Sequence, residues 1–570
     1  MTKKKALVIS ANCIGIFLCM LDTTVMNIAL PAIQKGLSVS LTDLSWALNI
    51  YTILFATLTI PLSRLAERFG INKVYLLGMI IFLIGSICSG LAQNLYILIF
   101  GRAIQSIGAA VVFPLSMTIG ISTVAIDKRS FVIAALGVTQ GLAAALGPTI
   151  GGVITQFLTW RWIFLVNFPI VIIEIGLSLI SIDFRETGKR TSIDYLGSIL
   201  SMAGLFSLTL SLVKGREWGW ASVTTISLLT CSGVCFLLFI FIETKITNPM
   251  VPMKLFKDRQ FIGSSASIVL SNLFLVAITV VLPTFFTRIQ NKNELEAALL
   301  ITPISAMIFI CSPIAAILIQ KVGPRIVILV GFLSMGIAYI MFSATNMASI
   351  QSVILACFLL GFGYGIIAGP ITVLAASDFT GNMLTASQSV VGVLRQIGVV
   401  LAVAIFVTGL YSNINQARSN SASYATSQIE KLKLPTKQNQ NMKKLTLVDI
   451  NSGNSHVKIP KNHFSKESKE KLIRNNYRKI ISKQHALPEF ARQATLKQVT
   501  TEVSKTIASL NIKINLCIKK IREYSVSQYS KAFTKLYSVS IPFVFLSTLS
   551  SLLFLKKSKY LELINKKHDN

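Results

Sequence analysis

The feature that most constrains this chain is the recurrence of long apolar stretches bounded by charges. There are fourteen, at roughly 6–30, 44–63, 74–93, 95–123, 131–157, 162–182, 193–213, 221–243, 260–287, 296–319, 326–345, 350–376, 384–412 and 536–555. A hydrocarbon core about 30 Å thick is crossed by about 20 apolar residues in a helix. Backbone polar groups in lipid must be satisfied internally, so segments of this length and composition read as helices. The 570 residues are 53% hydrophobic and 14% charged, against roughly 25% charged in soluble domains. An ordinary cytosolic enzyme is thereby excluded, and an all-α polytopic membrane protein is expected. Lys3-Lys4-Lys5 opens like a signal peptide. The apolar run continues past Asp22 with no small-residue cleavage site, so it reads as an uncleaved first span.

Charge sets the expected orientation. The formal net charge is +31, of which residues 413–535 carry +17 from 24 basic and 7 acidic side chains. With a cytoplasmic N-terminus, the inside segments hold 22 Lys and Arg and the short outside loops hold 6. That bias predicts a cell-membrane protein with both termini cytoplasmic. The basic stretch then becomes an outside loop, which the rule permits because long loops translocate largely regardless of charge. Its charge is placed beside membrane, so no nucleic-acid partner is expected, and anionic lipid headgroups are among the surfaces it suits.

Repetition points to two bundles. Arg68-Phe69-Gly70 is followed eight residues after its glycine by Gly78, and Lys321-Val322-Gly323 is followed at the same distance by Gly331. Each string opens the third span of a six-helix set once the seventh and eighth spans are set aside as an insertion. Parallel repeats of this kind build many secondary transporters, with the substrate path between the halves. The expected domains are 1–190 (first six-helix bundle), 191–245 (two inserted helices), 246–412 (five helices of the second bundle), 413–535 (basic outer loop) and 536–570 (last span and tail).

Several polar residues stand inside spans. Asp22 must face a cavity, pair with a cation or take up a proton, unless it reaches headgroup water at a helix end. Arg102 lies about five residues into the fourth span, and its guanidinium keeps its proton, so a carboxylate, carbonyls, water or an interface must meet its charge. Glu174 is the other carboxylate well inside a span, and helix pairing, cavity lining and a proton site all stay open for it. Gly147, Gly151 and Gly152 put small residues on one side of the fifth helix, and Pro148 removes a backbone donor there. Arg64 and Arg68 anchor a short inside loop in which Gly70 permits a tight turn. The eight cysteines show neither a disulfide framework nor zinc spacing. Nor is there a phosphate loop or nucleophile–base pair, so no enzyme and no cofactor are expected.

Jointly these residues resemble the 14-span drug:proton antiporter branch of the major facilitator superfamily, over about 6–412 and 536–555. The string from Asp22 through Asn27 to Pro31 is similar to that branch's opening motif. Ser63-Arg64-Leu65-Ala66-Glu67-Arg68-Phe69-Gly70 is similar to its gating loop, with serine for glycine and Glu67 for aspartate. Arg102-Ala103-Ile104-Gln105-Ser106-Ile107-Gly108 resembles the arginine motif, with Ser106 for a glycine. Gly147-Pro148-Thr149-Ile150-Gly151-Gly152 matches the antiporter motif of the fifth span, with Ala143 where another glycine is usual. Trp160-Arg161-Trp162, Asp194-Tyr195-Leu196-Gly197, Asn248-Pro249 and Arg395-Gln396 complete the series.

The resemblance implies two six-helix bundles plus two inserted helices, export rather than import, and proton coupling through Asp22 and Arg102. It implies a conformational gate at Arg64, Glu67, Arg68 and Gly70. Asn27, Tyr51, Gln105, Glu174, Tyr364 and Arg395 are the cavity candidates, with Phe113 and Phe274 as further aromatics. The tenth span carries acids only at its entrance, Glu294 and Glu296, and the thirteenth has Arg395 and no acid, which argues against dications as preferred cargo. The expected partners are therefore protons, small amphiphilic substrates and membrane lipids, with no partner protein identifiable. Two other readings stay open: an exporter dedicated to an endogenous lipid, peptide or metabolite, and a non-transporting receptor using the basic loop.

Within that loop, Leu496, Val499, Val503, Ile507, Leu510, Ile514 and Ile518 recur at steps of 3 and 4, a helical stripe. Leu472, Ile473, Tyr477, Ile480 and Ile481 mark a shorter helix. The two predict an antiparallel hairpin over about 465–523, outside the membrane, with 413–464 as a flexible linker.

Overall fold

The computed structural model describes residues 3–125, 129–185, 194–290, 292–344, 349–376, 379–432, 434, 436–452, 464, 466–482, 488–560 and 562, and these contain no strand. Fourteen helices among them are long and apolar enough to cross a membrane. The first set is α1 (Lys3–Leu37), α2 (Leu41–Phe69), α3 (Ile71–Gly90), α4 (Leu95–Ser122) and α5 (Arg129–Phe157), then the single turn α6 (Trp162–Leu165) and α7 (Asn167–Ser181). The inserted pair is α8 (Tyr195–Trp218) and α9 (Val223–Glu243). The second set is α10 (Arg259–Arg288), α11 (Glu294–Val322), α12 (Pro324–Ala344), α13 (Ile350–Ala376) and α14 (Asn382–Ala402). Through the π-helix Val403–Val407 the chain enters α15 (Thr408–Glu430), followed by α16 (Thr436–Ser452), α17 (Lys466–Ile481) and α18 (Glu489–Leu546).

Short connections begin the helices cleanly because the right polar residues stand at their starts. Ser40, Asn94, Asp194, Ser222 and Asn293 each accept a backbone N–H three residues on, which satisfies one of the orphan donors of a helix start. The repeat seen in the sequence has a geometric counterpart. Gly70 ends α2 at φ 105° and Gly323 ends α11 at φ 92°, a backbone region costly for any residue with a Cβ. Eight residues beyond, Gly78 of α3 faces Val111 of α4, and Gly331 of α12 faces Ile367 of α13. The same turn and the same close helix crossing are thus built twice.

The inserted helices pair through the Ser232 hydroxyl, which donates to the Gly204 carbonyl at 2.9 Å. α8 meets α2, where the Lys214 ammonium lies 4.3 Å from the centre of the Trp46 ring and bonds Glu217 at 2.7 Å. α9 leaves Leu237 and Phe241 exposed, as a lipid-facing helix does.

By internal contacts the chain forms two compact units, one of residues 1–287, 292–410 and 534–570, the other of 288–291 and 411–533. In the second unit, α17 and the start of α18 pack through Val499, Val503 and Ile507 against Phe464, Ile473 and Tyr477, as the apolar stripes predict. Two expectations are corrected. The segment read as a flexible linker contains α16 and the continuation of α15, whose Ala425, Ile429 and Ile450 form a core with Cys517 and Ile521 of α18. Tyr424 stacks on Tyr524 at 4.0 Å, and the Tyr529 hydroxyl donates to the Ile450 carbonyl at 2.9 Å. The hairpin's second arm and the last span are one helix of 58 residues rather than two.

Candidate functional site

Two of the buried charges of the first unit, Asp22 and Arg102, meet between α1 and α4. Asp22 is 3% exposed and Arg102 1%, and they form a direct ion pair. Gln105, one turn beyond Arg102, donates to the other Asp22 oxygen at 2.8 Å and accepts from the guanidinium at 2.8 Å. Arg102 Nε donates to the Ala47 carbonyl at 3.3 Å, and the guanidinium lies 4.2 Å from the centre of the Tyr51 ring. The network continues through Ser86, which receives bonds from Gln105 at 3.2 Å and Asn167 at 2.9 Å. Ser106, in place of the expected glycine, donates to the Tyr51 carbonyl at 2.6 Å and ties α4 to α2. Such a cluster offsets the desolvation of two charges only because nearly every polar atom finds a partner.

Glu174 of α7 is also fully buried, and one of its oxygens accepts from Tyr75 at 2.8 Å and Ser178 at 2.7 Å. Tyr51, Gln105 and Glu174, named above as cavity candidates, thus face the interior of the first bundle, Tyr51 and Gln105 against Arg102 and Asp22, and Glu174 against Tyr75 and Ser178. Phe113 packs on Phe55 at 5.9 Å, and Phe274 on Tyr339 at 5.6 Å. Asn27 falls within α1, but its side chain lies outside the described residues.

A cleft runs between the two bundles. Its walls include Met20, Thr23 and Thr24 of α1, Pro148 of α5, Asn272 to Val280 of α10, Ala298 to Ile308 of α11, and Tyr364, Arg395 and Gln396 of α13 and α14. Space unfilled by protein atoms amounts to about 900 Å³, open solvent included. Tyr364 and Arg395 are the two cavity candidates that line it, and the Tyr364 hydroxyl donates to Asn272 at 3.2 Å. Asn272, Thr23 and Thr302 were not singled out from the sequence, although polar residues inside apolar runs were the available signal.

The antiporter-motif glycines lie at a junction of three helices. A Cβ on Gly147 would overlap the Thr24 hydroxyl, and one on Gly151 would stand 2.9 Å from the Val25 carbonyl, both on α1. Gly152 instead faces α11, where its Cβ would stand 3.5 Å from Ala298. Thr149 bonds Thr302 at 3.0 Å alongside. α5 therefore touches the helix that carries Asp22 on one side and the second bundle on the other.

At the opposite end of α5, Arg129 donates to the Phe379 carbonyl at 3.1 Å, a second link between the bundles. Nearby, Arg64 pairs with buried Glu67 and bonds the carbonyls of Pro249 and Met250, the latter at 3.1 Å. The same loop is gripped from α9, where Glu243 accepts the N–H groups of Met250 at 3.0 Å and Val251 at 3.2 Å. Sequence reading missed Glu243, whose place at the last turn of a span made it look like a boundary marker. Arg68 is exposed and lies over the ring of its own neighbour Phe69, so of the gating-loop residues Arg64 and Glu67 meet and Arg68 stands apart.

Comparison with known proteins agrees with this architecture. The sequence profile of the Major Facilitator Superfamily matches residues 13–403, and the chain belongs to that family. It is 31% identical over 378 residues to the probable multidrug resistance protein EmrY of Escherichia coli, covering 65% of this chain and 74% of that one. It is 30% identical to the multidrug export protein EmrB of the same organism, over 69% of this chain and 77% of that protein. To the multidrug resistance protein Stp of Mycobacterium tuberculosis it is 27% identical, over 71% and 76%. Among solved structures, the proton:xylose symporter XylE matches at a TM-score of 0.50 and 13% identity, over 70% of this chain and 87% of that one, a likeness of fold. The match to multidrug proteins places the chain in the multidrug-efflux branch of the family.

Proposed function

We propose that this protein is a secondary active exporter that exchanges protons for small amphiphilic compounds by alternating access. It works in a cell membrane with both termini cytoplasmic, the side to which the distribution of Lys and Arg assigns them. The observation that carries the reading is the relation of Asp22 to the cleft. Met20, Thr23 and Thr24 line the cleft, while Asp22, about 100–200° around the same helix from each of them, is paired with Arg102 inside the bundle.

A proton delivered to Asp22 cancels the charge that holds α1 to α4. Arg102 then retains Gln105, the Ala47 carbonyl and the Tyr51 ring, so the bundle survives the protonated step. Because Thr24 and Val25 rest on Gly147 and Gly151, a small rotation of α1 is felt by α5 and, through Gly152, by the second bundle. The driving force available to such a step is about 2.3 kcal/mol per proton per 100 mV, and each pH unit adds about 1.4 kcal/mol.

The test is dye efflux in proteoliposomes with imposed pH gradients, comparing wild type with Asp22→Asn and Arg102→Ala. Wild type should accelerate with the gradient and Asp22→Asn should not. Full gradient-driven transport by Asp22→Asn would remove the basis of the proposal.

A further inference from the structure

Among the described residues that line it, the cleft holds one charge and no carboxylate to balance it. Arg395 is its only charged side chain among the described lining residues, and it is 5% exposed. Among the described residues its Nε has no hydrogen-bond partner. Its ionisable neighbour is the neutral Tyr364 hydroxyl, which hydrogen-bonds with the Arg395 side chain and also donates to Asn272. A guanidinium cannot shed its proton, and a buried charge without a counter-ion is expensive. The contrast with Arg102 is internal to the molecule: that guanidinium has Asp22, while Arg395 has no carboxylate along the walls of the cleft. Around it the walls are largely aliphatic, with Leu275 and Val276 on α10 and Ile301, Ile304 and Ile308 on α11.

We infer that the cleft takes an amphiphile with an acidic head, of which a carboxylate is the simplest. Arg395 receives the head as a charge-assisted, bidentate partner, Tyr364 stands beside it, and the aliphatic walls receive the body. A cationic amphiphile meets an unscreened positive charge in a poorly hydrated site and is disfavoured. The direction of movement rests on the exporter reading, while the site itself is a claim about binding. If the cargo is an anion, its exit and the entry of a proton move charge in the same sense. An inside-negative potential then accelerates export, whereas one-for-one exchange with a monovalent cation is electrically silent.

Three probes with one chain and different heads decide the matter: dodecanoate, its methyl ester and dodecyltrimethylammonium. Their binding to the purified full-length protein in phosphatidylcholine nanodiscs is measured by calorimetry at pH 8, with empty nanodiscs as reference. Dodecanoate should bind at least about ten-fold tighter than the ester, a difference of about 1.4 kcal/mol, and the ammonium compound most weakly. Arg395→Gln should erase the preference for the acid over the ester. Equal affinity for acid and ester, tightest binding of the ammonium compound, or an acid preference that persists in Arg395→Gln overturns the assignment. The wild-type series alone is decisive should the variant not fold. In nanodiscs with phosphatidylglycerol, where surface charge alone repels dodecanoate, a larger loss of affinity in wild type than in Arg395→Gln supports the anion site and shows lipid headgroups competing for it, and an equal loss supports a site for free amphiphiles. Absence of acid preference in the wild type refutes this site and leaves the Asp22 experiment intact. Transport indifferent to pH, with acid preference present, refutes the exporter reading alone.

Discussion

Removing one partner of a buried ion pair costs about 3–5 kcal/mol, because the other charge is left behind. The Asp22–Arg102 pair predicts that the two removals are unequal. In Asp22→Asn the guanidinium stays charged and keeps Gln105, the Ala47 carbonyl and the Tyr51 ring. The ring contact is worth about 0.5–2 kcal/mol, so a net cost of about 1–4.5 kcal/mol remains. In Arg102→Met the stranded carboxyl has a neutral form available, which limits its cost. The double variant Asp22→Asn/Arg102→Met strands no charge and should therefore melt above Asp22→Asn alone. The assay is a double-mutant cycle on the melting temperature in detergent, read by tryptophan fluorescence. Strictly additive losses, or a double variant less stable than either single one, would refute the claim that these two groups satisfy each other.

Gly147→Ala should destabilise by about 1–3 kcal/mol through overpacking, since its Cβ would stand 2.6 Å from the Thr24 Cβ; Thr24→Gly should restore the melting temperature. Gly176→Ala is the matched control, with nothing within 4 Å of its added Cβ, and should be neutral or slightly stabilising in the same assay. Gly70→Ala, at φ 105°, should cost about 1–2 kcal/mol, measured as a fall in melting temperature. In the second unit, Ile521→Asp places a charge in the core with Ile429 and Ile450; amide hydrogen exchange should then rise across residues 436–452 while that of α3 and α4 stays unchanged.

Legibility from sequence followed the strength of the local signal. Lipid demands about 20 apolar residues per span, so the fourteen helices were visible as composition alone, and the paired strings at Gly70 and Gly323 marked turns that no other residue fits well. The pairing of Asp22 with Arg102 was open in the sequence because it joins residues 80 apart. Its closure depended on Gln105 and Tyr51, which read equally well as cavity residues. Residues 413–464 misled for a different reason. Their core is sparse and built partly from small side chains such as Ala417 and Ala425, which contribute little to an apolar stripe. Helices of that kind owe their order to packing on α18 rather than to intrinsic propensity.

In the proposed cycle, the arrangement of α1 lets the proton site and the substrate path be coupled without touching. One face of the helix presents Met20, Thr23 and Thr24 to the cleft, while Asp22 is committed to Arg102 behind it. Beside that face, Thr24 and Val25 lie against glycines of α5 with no slack, so α1 cannot turn without displacing α5. A loosely packed junction would let α1 respond to protonation alone, and the proton would leak without moving cargo. Coupling in the proposed cycle therefore depends on how tightly Gly147 and Gly151 are packed as much as on the titrating acid. Gly147→Ala/Thr24→Gly provides the separation: it should restore stability but, having altered both surfaces of the contact, should transport less dye per proton than wild type. Wild-type stoichiometry in that pair would show that the junction is only a packing solution.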